Sequence, residues 1–138
     1  MKRLLLSQKK AFEIASNYVS KLKDDYTLRL AILFGSFATG LWTESSDIDI
    51  LIVADELSDN IWDNYAILKE RFVQPFGIST KMVQNEIESL NFIILDALEY
   101  GIILHKDQSI YDLIKEKLEH VKKRYGLFRT AKGWNITR

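Results

Sequence analysis

The sequence predicts an α/β (α+β) domain in which a small mixed β-sheet is flanked by helices. Two observations predict this fold class. Several segments repeat apolar residues at helical spacing, and short, continuous apolar runs bounded by turn residues lie between them. The runs over residues 28–34 and 48–53 are too apolar for strands with one face in water, so we expect both inside the sheet.

The first half of the chain alternates helix and strand. An amphipathic helix over residues 7–24 has Ser7 as a plausible N-cap. The run 28–34 is the first predicted strand, and Gly35 ends it. A short helix is predicted to begin at Ser36 and end at Gly40, before the second strand over residues 48–53.

The second half continues the alternation. We expect a third helix with Ser58 or Asp59 as its N-cap, ended by Pro75 and Gly77. The further predicted elements are a third strand over 78–83, a helix over 86–100 capped by Asn85 and closed by Gly101, a fourth apolar run over 102–104, and a last helix around 110–121. The helix over 86–100 is apolar nearly all round, which leaves deep burial and a homo-oligomer interface as alternatives.

Length and composition restrict the class of protein. The chain has 138 residues, which predicts a single domain over residues 1–138. Its 19 Lys and Arg balance its 19 Asp and Glu, so no overall charge indicates nucleic acid or a membrane as partner. The chain has no cysteine, which excludes disulfides, thiolate metal sites and cysteine nucleophiles. The apolar run within residues 1–6 is too short for a secretory or membrane segment, so we expect a cytoplasmic protein.

The segment 34–53 carries the candidate chemistry. Asp47 and Asp49 are two residues apart at the start of a strand, so their side chains leave the same face. Two neighbouring carboxylates repel each other and each favours a cation, for example Mg²⁺. Gly35 and Ser36, at a strand-to-helix turn, offer backbone N–H groups and a hydroxyl to a phosphate. Together these residues predict a site for a metal-bound phosphate.

This pattern resembles the nucleotidyltransferase fold of the DNA polymerase β superfamily, and most of all its minimal, antitoxin-type members. The matching features are an apolar strand, Gly35-Ser36, about ten further residues, and Asp47-x-Asp49 in a second apolar strand. The resemblance implies that Gly35 and Ser36 bind the phosphates of a nucleoside triphosphate, with ATP the first choice. It implies that Asp47 and Asp49 are the catalytic residues and bind Mg²⁺.

The chain departs from the pattern of this family in its third predicted strand. Active members usually present a third carboxylate there, as a base or an additional metal ligand. The predicted strand over 78–83 contains no acidic residue and has the cation Lys81 instead. Glu86 follows it, but its position fits the first turn of a helix better.

Two functions therefore stay open. One is an enzyme that transfers a nucleoside monophosphate to a hydroxyl of a protein, an RNA or a small molecule. The other is an inactive or weakly active binding module, an antitoxin or partner of a helical HEPN-type protein, as the resemblance implies. The tail over residues 120–138 has six Lys and Arg, no carboxylate and interleaved aromatics. It is interpreted as packing on the domain, with an acidic partner, a nucleotide phosphate or RNA as alternatives.

Overall fold

The computed structural model describes residues 7–41, 43 and 46–137. Residues 1–6, whose apolar run is discussed above, and Arg138 of the basic tail lie outside the described residues. The elements are α1 (Gln8–Asp25), β1 (Leu28–Phe34), α2 (Ser36–Thr39), β2 (Ile48–Ala54), α3 (Ile61–Leu68), β3 (Val73–Ser79), α4 (Val83–Glu88), α5 (Phe92–Tyr100), β4 (Ile102–Lys106), α6 (Gln108–Tyr125), β5 (Leu127–Thr130) and β6 (Gly133–Ile136).

The main sheet has four strands in the order β3-β2-β1-β4. β1 is antiparallel to both β2 and β4, whereas β3 is parallel to β2. The predicted fold class, a small mixed sheet flanked by helices, is confirmed. Because β1 and β2 are antiparallel neighbours, the end of β1 lies beside the start of β2, with Phe34 opposite Asp49.

The sheet separates two apolar cores. On one face, Ile48, Ile50 and Ile52 of β2 belong to the core that α1 completes. On the other face, Leu51 and Val53 belong to the core that α5 and α6 complete. Side chains alternate between faces along a strand, so Asp49 shares the face of Leu51. The acidic start of β2 therefore lies on the α5 side of the sheet.

The predicted third strand was wrong in its boundaries. The helix before it ends at Leu68 and is capped by Asn60 rather than by Ser58 or Asp59. Pro75 and Gly77 do not end this helix but lie within β3. Pro75 is tolerated because β3 is an edge strand, where one side needs no ladder hydrogen bond.

Gly77 has a packing reason to lie in β3. A Cβ at this position would be 2.6 Å from Cδ1 of Leu68, so the glycine lets α3 approach the strand closely. The buried side chain of Asn64 donates to the Gly77 carbonyl at 2.9 Å and joins the same two elements. These long-range contacts outweigh the local turn preference of Gly77.

The single helix predicted over residues 86–100 was also wrong. Two helices, α4 and α5, take its place, and Leu90 between them has a φ of 60°. Asn91, not Asn85, is the N-cap of the longer helix, and its side chain accepts from the Ile94 N–H. Gly101 has a φ of −76°, so it is not a left-handed cap. A Cβ there would collide with Ile32, which indicates that close packing on β1 requires this glycine.

The C-terminal segment continues α6 and then forms a hairpin. Gly126, with a φ of 60°, ends α6, and β5 pairs antiparallel with β6. Trp134 of β6 reaches α5, where its indole Nε1 donates to Asp96 Oδ1 at 2.6 Å. Over the described ranges, no helix combines the length and apolar character that crossing a membrane requires.

Candidate functional site

Asp47 and Asp49 lie at the start of β2. Asp47 immediately precedes the strand, and Asp49 is its second residue and pairs with Phe34 of β1. Ile48 and Ile50, both fully buried, fix the opposite face of the strand in the core. This anchoring holds both half-buried carboxylates at one edge of the sheet.

Gly35 lies directly against the Asp49 carboxylate. Its φ of 71° and ψ of −151° belong to a backbone region that is accessible almost only to glycine. A Cβ at this position would overlap with Oδ2 of Asp49 and lie 3.2 Å from its Cγ. Both the backbone conformation and the space therefore require glycine, and the strand-to-helix turn lies against the Asp49 side chain.

The helix α2 that follows Gly35 is a single turn that contacts the core and α1. Phe37 is buried in the core, and Gln8 of α1 donates from Nε2 to the Phe37 carbonyl at 3.0 Å. Ser36 opens the helix, and neither its hydroxyl nor its N–H has an acceptor among the described residues. These two donors are available to a ligand beside Asp49.

The environment of Asp49 disfavours its charged form. Burial raises the pKa of Asp49 from 3.8 to about 6, and the neighbouring Asp47 adds to the rise. At neutral pH the side chain is still mostly ionised, at a cost in free energy. A cation between the two carboxylates would favour the charged form of Asp49 and so counteract both the burial and the repulsion from Asp47.

The third strand, β3, covers Val73–Ser79 rather than the predicted residues 78–83, and it contains no carboxylate either. In the parallel register, Gln74 of β3 lies opposite Asp49 and shares its face. Within residues 7–41, 43 and 46–137, no group of three His, Cys, Asp or Glu side chains could hold a metal. Glu86 belongs to α4, where it accepts from Asn91 at 3.1 Å and lines a small pocket with Asp59.

Two pockets flank this edge of the sheet. The pocket on the β1 side, of about 390 Å³, is lined by the Gly35–Ser36 turn and by polar and charged side chains of α5 and β5, among them Asp96, Tyr100 and Arg129. The pocket on the β3 side, of about 440 Å³, is lined by Trp62, Tyr65, Gln74, Phe76 and Asn91. Ile93 of α5 lies between them and lines both.

Sequence reasoning missed the residues that α5, β3 and the hairpin add to these pockets. Arg129 stood out only as part of a basic, aromatic tail. Gln74 was hidden because the residues around Pro75 were interpreted as a helix end. Asp96 had no distinguishing signal, since it is an acidic residue on an otherwise apolar helix.

Comparison with known proteins identifies the class. Residues 15–130 match the model of the nucleotidyltransferase domain family, and the chain belongs to this family. The resemblance deduced from Gly35-Ser36 and Asp47-x-Asp49 is thereby confirmed at the level of the family.

Relatives occur in Methanocaldococcus jannaschii. One, MJ1305, named as a candidate protein adenylyltransferase, is 29% identical over 125 residues, which cover 85% of this chain and 84% of the relative. Another with the same description, MJ0604, is 45% identical over 95 residues, which cover 64% of this chain and 91% of the relative.

Solved structures share the fold. A candidate nucleotidyltransferase from Sulfolobus solfataricus aligns with a TM-score of 0.53 and 20% identity, over 73% of this chain and 85% of that one. A chain of a toxin–antitoxin complex crystallised with AMP-PNP aligns with a TM-score of 0.55 and 21% identity, over 80% and 92%. A chain of the MntA–HepT toxin–antitoxin complex gives 0.51 and 20%, over 83% and 92%.

Proposed function

We propose that this chain is a minimal adenylyltransferase that moves AMP from Mg²⁺-bound ATP to a hydroxyl of a partner protein. The observation that supports the proposal is the close approach of the Gly35 turn to the Asp49 carboxylate, so that the candidate phosphate site and the candidate cation site adjoin. Membership of the nucleotidyltransferase family supports the same chemistry.

The donor set fits Mg²⁺. This ion prefers one or two protein carboxylates together with phosphate oxygens and water, and Asp47 and Asp49 provide two carboxylates at the start of β2. When bound, the ion neutralises charge on the phosphate oxygens as the leaving group departs. A cation held there would favour the charged form of Asp49, whose pKa is raised mainly by burial and further by Asp47.

The residues of the chain position the nucleotide. Gly35 lets the backbone approach a phosphate, and the hydroxyl and N–H of Ser36 donate to its oxygens. The acceptor hydroxyl oxygen then attacks the α-phosphorus. The bond between the α-phosphorus and the oxygen that bridges it to the β-phosphorus breaks. Pyrophosphate leaves with the bonding electrons, and the hydroxyl proton passes to solvent.

A protein acceptor is favoured over RNA and small molecules by two findings. The Methanocaldococcus relatives bear names that describe them as candidate protein adenylyltransferases. Structural neighbours come from toxin–antitoxin complexes, one of them named MntA–HepT and another crystallised with AMP-PNP. We extend these properties to this chain as a hypothesis: its partner is a helical, HEPN-type protein.

The second candidate function is a binding module that holds a partner without modifying it. Gln74 favours this alternative because it occupies the place beside Asp49 where a carboxylate would serve as base. General-base assistance typically contributes about a hundredfold or more to a rate. Its absence makes slow transfer the expected behaviour of the enzyme.

Label transfer separates the two candidates. The protein is incubated with Mg²⁺ and ATP, CTP, GTP or UTP labelled at the α-phosphate, alone and with its co-purifying partner. We expect label from ATP on the partner, lost in Asp47→Asn and retained in Asp25→Asn, which removes an exposed carboxylate at the end of α1. A stable complex with no transfer from any nucleotide would instead identify a binding module.

A further inference from the structure

Arg129, in the first strand of the C-terminal hairpin, lines the same pocket as the Gly35–Ser36 turn. It is far from this turn in sequence and reaches it only because the hairpin folds back on α5. Among the described residues that line this pocket, Arg129 is the single cation and Asp96 the single anion.

The guanidinium of Arg129 is held in a fixed orientation. Its Nε donates to Asp96 Oδ1 at 2.9 Å, and the indole of Trp134 donates to the same oxygen. Its Nη1 donates to the Thr130 carbonyl, and its Cζ lies 5.6 Å from the centroid of the Tyr100 ring. With about a fifth of the side chain exposed, the group is held mainly by protein contacts.

These contacts leave part of the guanidinium available to a ligand. Nη2 has no hydrogen-bond acceptor among the described residues. Asp96 reduces the net positive charge of the pocket, but it also holds the planar group in place before a ligand arrives. An arginine fixed in this way loses little conformational entropy when it binds a phosphate.

Asp47 and Asp49 do not line this pocket, which extends from Gly35 towards α5 and the hairpin. A phosphate held between Gly35 and the two aspartates would therefore have the next phosphates of its chain directed into the pocket. We propose that Arg129 binds the terminal phosphates of the nucleoside triphosphate, and that pyrophosphate leaves through this pocket. The inference rests on the proposed function and assigns a role to the C-terminal hairpin.

Binding measurements test this assignment without requiring turnover. Mg²⁺-ATP and Mg²⁺-tripolyphosphate are titrated into the wild type, Arg129→Ala, Arg129→Lys and Arg124→Ala. We expect Arg129→Ala to weaken both ligands by about tenfold or more, because it removes a charge-assisted hydrogen bond. Arg129→Lys should retain part of the affinity. Arg124→Ala, which removes an exposed arginine paired with Glu88, should change neither.

The outcomes distinguish this inference from the proposed function. If Asp49→Asn weakens Mg²⁺-ATP binding but Arg129→Ala binds both ligands as tightly as the wild type, Arg129 has no role and the nucleotide site stands. If the wild type binds neither ligand, both proposals are wrong. Thermal unfolding of each variant shows whether the hairpin is intact, and Asp96→Asn supplies a second variant that loosens Arg129 without removing its charge.

Discussion

The two pockets beside Asp49 differ in chemistry. The β1 side offers the Ser36 donors, Arg129 and Asp96, whereas the β3 side is lined by aromatic rings and the neutral amides of Gln74 and Asn91. A triphosphate carries several negative charges and requires donors and cations, so it fits the β1 side. An uncharged group, such as an acceptor side chain, fits the β3 side. Under the proposed function, the site would thus separate the ionic part of its substrates from the neutral part.

Among the variants that test this division, Gly35→Ala should have the largest effect on the rate of AMP transfer. The new Cβ would displace the Asp49 carboxylate and strain the backbone, and a shift of about 1 Å at a reacting centre can cost about a hundredfold in rate. Gly40→Ala is the matched control, since Gly40 also has a positive φ, of 83°, but a Cβ there meets nothing within 4 Å.

Transfer assays together with thermal unfolding separate the effect of backbone strain from the effect of displacing the Asp49 carboxylate. Gly40→Ala should lose about 1 kcal/mol of stability from its left-handed conformation and retain its transfer rate. Equal losses of transfer in the two variants would show that backbone strain, not the position of Asp49, limits the reaction.

Gln74→Glu tests the β3 side. A carboxylate there would lie beside Asp49 and could accept the proton of the acceptor hydroxyl, so we expect transfer to rise, by up to about a hundredfold. Gln74→Met, of similar size without a polar group, should show no gain. Single-turnover kinetics measure both. A lower rate in Gln74→Glu would indicate that the acceptor does not approach from β3.

Trp62→Ala should produce a smaller effect, of about tenfold in transfer at low acceptor concentration, as expected for loss of one aromatic contact. Trp62 is 77% exposed, so its removal should leave the free energy of unfolding nearly unchanged. Tripolyphosphate affinity should also stay unchanged, because phosphates belong on the β1 side. Ile67→Ala, at another exposed apolar residue of α3, is the control. Weaker tripolyphosphate binding in Trp62→Ala would contradict the division.

Arg29→Met, at the opposite end of the sheet, should have the smallest effect. Arg29 donates to Asp55 at 2.8 Å and to Asp107 at 2.8 Å. Hydrogen bonds from Arg29 and, second, from the Thr80 hydroxyl lower the pKa of Asp55 from 3.8 to about 2. The stabilisation is therefore present above pH 3.8 and lost as the pH falls towards 2. These side chains are partly exposed to solvent, which screens the ion pairs, so we expect only a small loss of stability.

Urea unfolding at pH 7 and pH 3 measures the contribution of the Arg29 ion pairs to stability. The wild type should lose more stability than Arg29→Met between the two pH values, and both should transfer AMP equally at pH 7. A loss of transfer in Arg29→Met would mean that this end of the sheet influences the site.

The residues that form the Asp49 side of the site were predictable because their signals are local. β1, α2 and β2 are short elements whose ends coincide with Gly35, Gly40 and the acidic pair, and the structure confirms all three within one residue. Alternation along a strand then determines which face Asp49 occupies. No long-range information was needed.

The residues that β3 and the C-terminal hairpin add to the two pockets depend on packing between distant segments. Pro75 and Gly77 resemble a helix end until the sheet order shows that β3 is an edge strand against which α3 packs. Arg129 reaches the pocket because the hairpin folds back on α5, where Arg129 and Trp134 both donate to Asp96. Propensity and spacing contain no information about such pairs.

The most direct test of the central claim is a crystal structure with Mg²⁺ and a non-hydrolysable ATP analogue. The account predicts a metal ion bound by Asp47 and Asp49, an adjoining phosphate at Gly35 and Ser36, and terminal phosphates directed towards Arg129. A nucleotide bound elsewhere, or bound at this edge of the sheet without a metal between the two aspartates, would contradict it.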